Sequence, residues 1–215
     1  MNPNWAEDNL QTIRTLMERS AVYRRALAPI MIYVGAVGIA GGFAGWICQV
    51  GSLRGFLWLW CSLATISLIG AFLLVRRQAL KDTEPFWSPP TRRIAQALAP
   101  AFLVGLLLAV VVLVGCYHNE PDEGDDIIIS NTLIIFWTCL YGLAINSAGF
   151  FMQRGVRWLG WIFVIVSMGY LSCVILTGGR SIRLSPHLLM AGIFGGLHLA
   201  YGIYLYFTEK RTPAA

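Results

Sequence analysis

Charged residues are absent from six long stretches of this chain: Ala26–Val50, Phe56–Val75, Ala97–Tyr117, Ile127–Met152, Trp158–Leu176 and Leu188–Phe207. Each is about twenty residues or longer, enough to cross a hydrocarbon core of roughly 30 Å as a helix. A helix of that length in water would show charge on its solvent side. Here apolar residues run round the whole circumference, so every face meets lipid or another such helix. The pattern predicts an all-α, polytopic transmembrane bundle of six helices. It divides the chain into a cytoplasmic interfacial helix at 1–25, the bundle at 26–208 and a short cytoplasmic tail at 209–215.

The polar start of the chain has its own periodicity. Asn4 is placed to cap a helix and Glu7, three positions on, to return the cap. Trp5, Leu10, Ile13, Met17 and Ala21 recur near helical spacing, with Glu7, Gln11, Arg14 and Glu18 mostly on the other side. This predicts an amphipathic helix lying in the interface and leading into the first span. Docking on the cytoplasmic ends of the other helices is the alternative. Because this polar stretch precedes a full-length apolar segment, the first span is expected to stay as an anchor and not to be cleaved as a signal peptide.

Small residues mark the expected packing faces. Gly35, Gly38, Gly42 and Gly45 share one side of the first span, and Gly192, Gly196 and Ala200 form a similar stripe in the sixth. Such faces let helix backbones approach closely in lipid. Gly38, Gly42, Gly192 and Gly196 therefore predict that the first and sixth helices are central packing elements, with a dimer seam as the alternative. The second span is expected to be short and to follow a tight turn at Gly51–Gly55. Trp46, Trp58 and Trp60 read as anchors at one interface, and Trp158, Trp161, Tyr204 and Tyr206 at the other.

Charge then orients the bundle. With a cytoplasmic N-terminus, thirteen of the sixteen basic residues fall inside; only Arg54, Arg180 and Arg183 fall outside. The positive-inside bias thus places both termini in the cytoplasm. Five carboxylates, Glu120, Asp122, Glu123, Asp125 and Asp126, crowd one outer loop, without the oxygen-ligand spacing of a calcium loop. The net charge of +5 is therefore an orientation and headgroup signal, and no nucleic-acid partner is expected. The longest cytoplasmic connector, RRQALKDTEPFWSPPTRR, holds Pro85, Pro89 and Pro90, which break the helix, while Ser88 and Pro89 suit the start of the next. Phe86 and Trp87 are candidates for interfacial insertion or for docking a cytoplasmic partner.

Composition adds one limit. With 57% apolar and 13% charged residues, 215 residues are used up by six spans, which leaves no room for a separate soluble domain. The five cysteines are odd in number and show no CxxC pair, so they read as small packing residues. A structural disulfide would need two of them at the outer face, where Cys48 with Cys61 or Cys116 is conceivable.

Polar groups in lipid are costly, which makes them the first candidates for chemistry. His198 lies in the sixth span, Asn146 and Ser147 in the fourth, Thr65 and Ser67 in the second, Ser167 and Ser172 in the fifth. His198 reads either as a neutral hydrogen-bonding strut, with Asn146 or a serine as partner, or as a proton relay or ligand contact. His187 lies eleven residues earlier on the same face, about 16 Å away along the axis, too far to share a metal. A bis-histidine haem would need His118 opposite His187. No span carries a carboxylate or lysine, which disfavours ion-coupled transport, and no Walker A, HExxH or GxSxG run occurs. No catalytic residue, metal or cofactor is expected.

The stretches EPFWSPPTRR, LYGLAINSAGFFMQRGVRWLGW and GIFGGLHLAYGIYLY together resemble a family of bacterial six-span integral membrane proteins of unknown function. Some members are encoded near a winged-helix regulator. The resemblance implies a regulated accessory protein of the inner membrane and no particular reaction; it draws attention to Trp87, Gly149–Phe151 and His198. Three functions follow as expectations: a non-enzymatic accessory, scaffold or sensor protein; a channel or facilitator for an uncharged or apolar solute; or a membrane enzyme or cofactor-binding subunit using His198. Expected partners are membrane lipids and another membrane protein or a second copy of this chain.

Overall fold

The computed structural model describes residues 27–81, 87, 89–118, 123–177 and 184–209. The interfacial helix expected at 1–25 and the docking residue Phe86 lie outside them. Over the described residues the chain is all-helical, with six helices long and apolar enough to cross a membrane. They are α1 (Leu27–Ile47), α2 (Leu53–Lys81), α3 (Pro89–His118), α4 (Glu123–Ala148) and α5 (Arg154–Leu176). The sixth span starts as α6 (Pro186–Met190), passes through a π-helical turn (Ala191–Gly196) and ends as α7 (Leu197–Glu209).

Two seams of backbone contact hold the bundle. The first joins α1 to the antiparallel sixth span. A methyl group on Gly38 would lie 3.0 Å from Gly195 Cα, one on Gly35 2.5 Å from Leu199 N, and one on Gly42 2.5 Å from Ala191 Cβ. Gly38 and Gly42 therefore sit on this seam. Gly192 and Gly196 do not: Gly192 faces open space, and the seam uses Ala191 and Gly195, each one residue earlier, followed by Leu199 and Gly202.

The physical reason is the π turn. In a regular α-helix each four-residue step rotates by about 40°. The wider turn at Ala191–Gly196 takes back that drift and keeps His187, Ala191, Gly195 and Leu199 against α1. Three of its six residues are glycines, which have little α-helical preference and no Cβ to crowd the wider turn.

The second seam joins α4 and α5 across the short Gly149–Gln153 connection. A methyl group on Gly160 would lie 2.7 Å from the Gly142 carbonyl, so the two backbones touch there. Hydrogen bonds continue the seam along its length. Tyr170 OH donates to Asn131 Oδ1 at 2.7 Å, Ser167 Oγ to the Ile135 carbonyl at 2.7 Å, and Asn146 Nδ2 to the Arg157 carbonyl at 3.2 Å.

α2 and α3 are the least buried spans. They meet at one end, where Leu53, Leu57, Ala109 and Cys116 pack together. There Arg54 donates to the Cys116 carbonyl and lies over the Tyr117 ring at 4.7 Å. Toward the end that carries Arg76, Arg77, Arg92 and Arg93, both helices expose apolar side chains such as Leu68, Phe72, Leu103 and Leu106.

Several boundaries differ from the sequence reading. α2 is 29 residues long, because Arg76–Lys81, made of good helix formers, extends it past the apolar stretch. The turn before it is Cys48–Ser52, with Gln49 at φ 50, and Gly55 already lies within α2. Glu123, Asp125 and Asp126 belong to the first turn of α4, where the helix dipole favours carboxylates. All five cysteines are free, so the conceivable bridge is not formed.

The seam makes a paired prediction. Gly195→Val places a side chain against the Ile39 backbone, 2.6 Å from a Cβ, and should cost about 1–3 kcal/mol of stability. Gly192→Val meets nothing within 4 Å and should change it little. Thermal unfolding in detergent of the two variants, side by side, measures this.

Candidate functional site

Two histidines sit in the interior, each with both ring nitrogens hydrogen-bonded within the protein. His198 is fully buried, at 0% exposure. Its Nδ1 lies 2.6 Å from the Phe194 carbonyl. A carbonyl can only accept, so Nδ1 carries the proton and Nε2 is left as acceptor for Tyr141 OH at 2.6 Å. Phe194 belongs to the π turn, so the histidine ties its carbonyl to a side chain four residues on and, through Tyr141, to α4. The rings of Tyr141, Phe163 and Phe194 stand 5.2, 5.2 and 4.5 Å from the imidazole and exclude water from it.

His187 has the opposite tautomer. Nε2 donates to the Val50 carbonyl at 2.8 Å, and Nδ1 accepts from Trp60 Nε1 at 3.3 Å. It therefore ties the sixth span to the end of the α1–α2 turn and to α2. Phe56 and Trp137 stack beside it, with ring centroids 6.2 Å apart and an interplanar angle of 10°. Trp137 in turn donates to the Gly105 carbonyl of α3 at 3.1 Å.

The sequence candidates are thus separated. His198 does not meet Asn146, whose amide is on the α5 backbone, and Ser147 is exposed on the outside of the bundle. Trp60, expected as an interfacial anchor, is buried and bonded to His187, whereas Trp46, Trp58, Trp158 and Trp161 are exposed. His118 bonds the Val114 carbonyl through Nδ1, and His187 has both ring nitrogens engaged within the protein, which leaves it none for a haem iron. Trp87 is exposed at the connector. Among the described residues no group of three His, Cys, Asp or Glu side chains is placed to hold a metal ion.

Tyr141 is the residue that sequence reasoning missed. A tyrosine in mid-span buries a hydroxyl that must find a partner, and His198 was the available acceptor. Tyr141 also forms part of the floor of a crevice of about 860 Å³ between α2 and α3. Ala64, Thr65 and Leu68 line one wall; Ala99, Phe102 and Leu106 line the other; Trp137, Tyr141 and Phe194 lie at the base. The volume falls in the range of ligand sites, roughly 300–1,000 Å³. Two of the polar side chains around the crevice are engaged inside the protein: Thr65 Oγ1 donates to the Cys61 carbonyl at 2.8 Å, and Tyr141 OH to His198.

Comparison with protein-family models, curated proteins and solved structures found no match to this chain.

Tyr141→Phe removes the donor to His198 and should lower stability by about 1 kcal/mol, the usual scale of such bonds within membranes. In a His198→Phe background the same change should have little further effect. A double-mutant cycle on thermal unfolding reads this coupling.

Proposed function

We propose that this chain is a non-enzymatic multi-pass protein of a bacterial inner membrane. It acts as an accessory, scaffold or sensor through helix contacts and its basic connector. Its partners are membrane lipids and another membrane protein or a second copy of itself. The observation that carries the reading is the closure of the polar centre: His198 is sealed by aromatic rings, with both nitrogens bonded inside the protein. A residue so enclosed is suited to fixing helices in place and not to meeting a substrate. Thirteen of sixteen basic residues on one side support a cytoplasmic location for both termini.

A second reading, a facilitator for an apolar solute, draws on the crevice between α2 and α3. Its lining covers only Trp60–Leu68 of α2 and Ala99–Ala109 of α3, whereas a conducting path would run from one membrane face to the other.

Thiol labelling tests both function and orientation. In a variant with the five native cysteines replaced, a cysteine at the buried Thr138 should resist charged thiol reagents added from either side. One at Asp122 should react from outside only, and one at Thr91 from the cytoplasm only. Labelling at Thr138 would favour the facilitator, and reversed labelling of the other two would overturn the topology.

A further inference from the structure

The crevice has a feature that an ordinary lipid-facing groove lacks: cations at one end of both walls. On α2, Arg76 follows Thr65 by eleven residues, three helical turns. On α3, Arg92 precedes Ala99 by seven, two turns. Each arginine therefore continues the crevice face of its own helix, about 16 Å and 10 Å beyond the lining residue. Both are exposed, as are Arg77, Lys81 and Arg93 beside them. Neither α2 nor α3 contains an acidic residue; Asp82 and Glu84 of the connector leave the mouth with an excess of positive charge.

We propose that the crevice is a site for one anionic phospholipid. Its phosphate is held between Arg76 and Arg92, and one acyl chain runs down between α2 and α3. A chain one leaflet long, about 15 Å, starting at the level of Arg92 reaches ten residues along α3 and so passes Ala99 into the near part of the crevice, as far as Phe102. There the Phe102 ring meets Tyr141 edge-on, with centroids 6.1 Å apart. Small side chains make the room: Ala64 and Thr65 on one wall, Ala99 on the other. Pro100, inside α3, leaves the Gln96 carbonyl without its helical donor and loosens the wall at the same level. An apolar crevice in a bilayer fills with hydrocarbon whatever the headgroup; the arginines are what select an anion.

The site deepens the lipid-partner part of the function proposed above. It fails separately from the rest, because its loss leaves the labelling at Thr138, Asp122 and Thr91 unchanged. The test uses the full chain, purified in detergent and stripped of lipid. Phosphatidylglycerol and phosphatidylcholine with identical acyl chains are added, and bound lipid is counted by native mass spectrometry. Phosphatidylglycerol should be retained at least tenfold better. Arg76→Gln with Arg92→Gln should abolish that preference and leave phosphatidylcholine binding as it was, while Arg154→Gln, on another helix, should have no effect. Ala64→Phe with Ala99→Phe, two exposed wall positions, should displace both lipids. Equal retention of the two lipids, full binding to the arginine variant, or full binding to the filled crevice would each overturn the proposal. The arginines lie exposed at helix ends, so their variant reads the site even if the filled variant misfolds.

Discussion

Helices already in lipid gain nothing from hiding apolar surface, since hydrocarbon surrounds them either way. What remains is the closeness with which two backbones can be brought together, and the rest of this structure follows from where that happens. Gly35, Gly38 and Gly42 admit the sixth span to α1, and Gly142 and Gly160 admit α5 to α4. Bulky side chains are then left to fill the centre, where Phe56, Trp60, Phe163 and Ile134 are almost completely enclosed. The same type of residue has the reverse effect on α2 and α3. There Ala64 and Ala99 line the walls of a crevice floored by Trp137, Tyr141 and Phe194, and small side chains produce an opening in place of a seam.

The two buried histidines are placed by one requirement, that a buried donor or acceptor gains from a partner within the protein, which Thr138 Oγ1 lacks. The two histidines meet it in mirror fashion. His187 gives its Nε2 proton to a turn carbonyl and takes one from an indole; His198 gives its Nδ1 proton to its own helix and takes one from a phenol. Together they cross-link the sixth span to α2 and to α4 at two depths. The aromatic residues that supply the donors are also the packing around the imidazoles, so removing one ring removes a bond and opens a space at once.

Much of the fold was legible because charge and glycine are both strong signals. The absence of charge located all six spans, and the glycine face of α1 pointed to the sixth. The phase of the sixth span was not legible, because a regular helical period was assumed through Ala191–Gly196, where the chain winds more widely. Trp58 and Trp60 looked alike in sequence as interfacial aromatics. Two residues apart on a helix, they point about 200° apart, so one meets lipid while the other is buried against His187. Polarity alone offers Asn146 or a serine as a partner for His198, whereas its bond goes to Tyr141, on the same helix as Asn146 and more than one turn earlier. Loss of apolar character does not mark the end of α2, because its good helix formers go on winding to Lys81.

The wide turn in the sixth span has one more consequence. It holds an extra residue, so the stretches on either side of it are coupled in angle as well as in length. Losing one amino acid within Ala191–Gly196 would let the span wind regularly with Leu199 and Gly202 still facing α1, because eleven regular steps from His187 make about 1,100°, close to three whole turns. Tightening the turn without losing a residue would swivel both away from α1 together, even though neither had been altered; the wide turn is the spare tooth that keeps two gears in step.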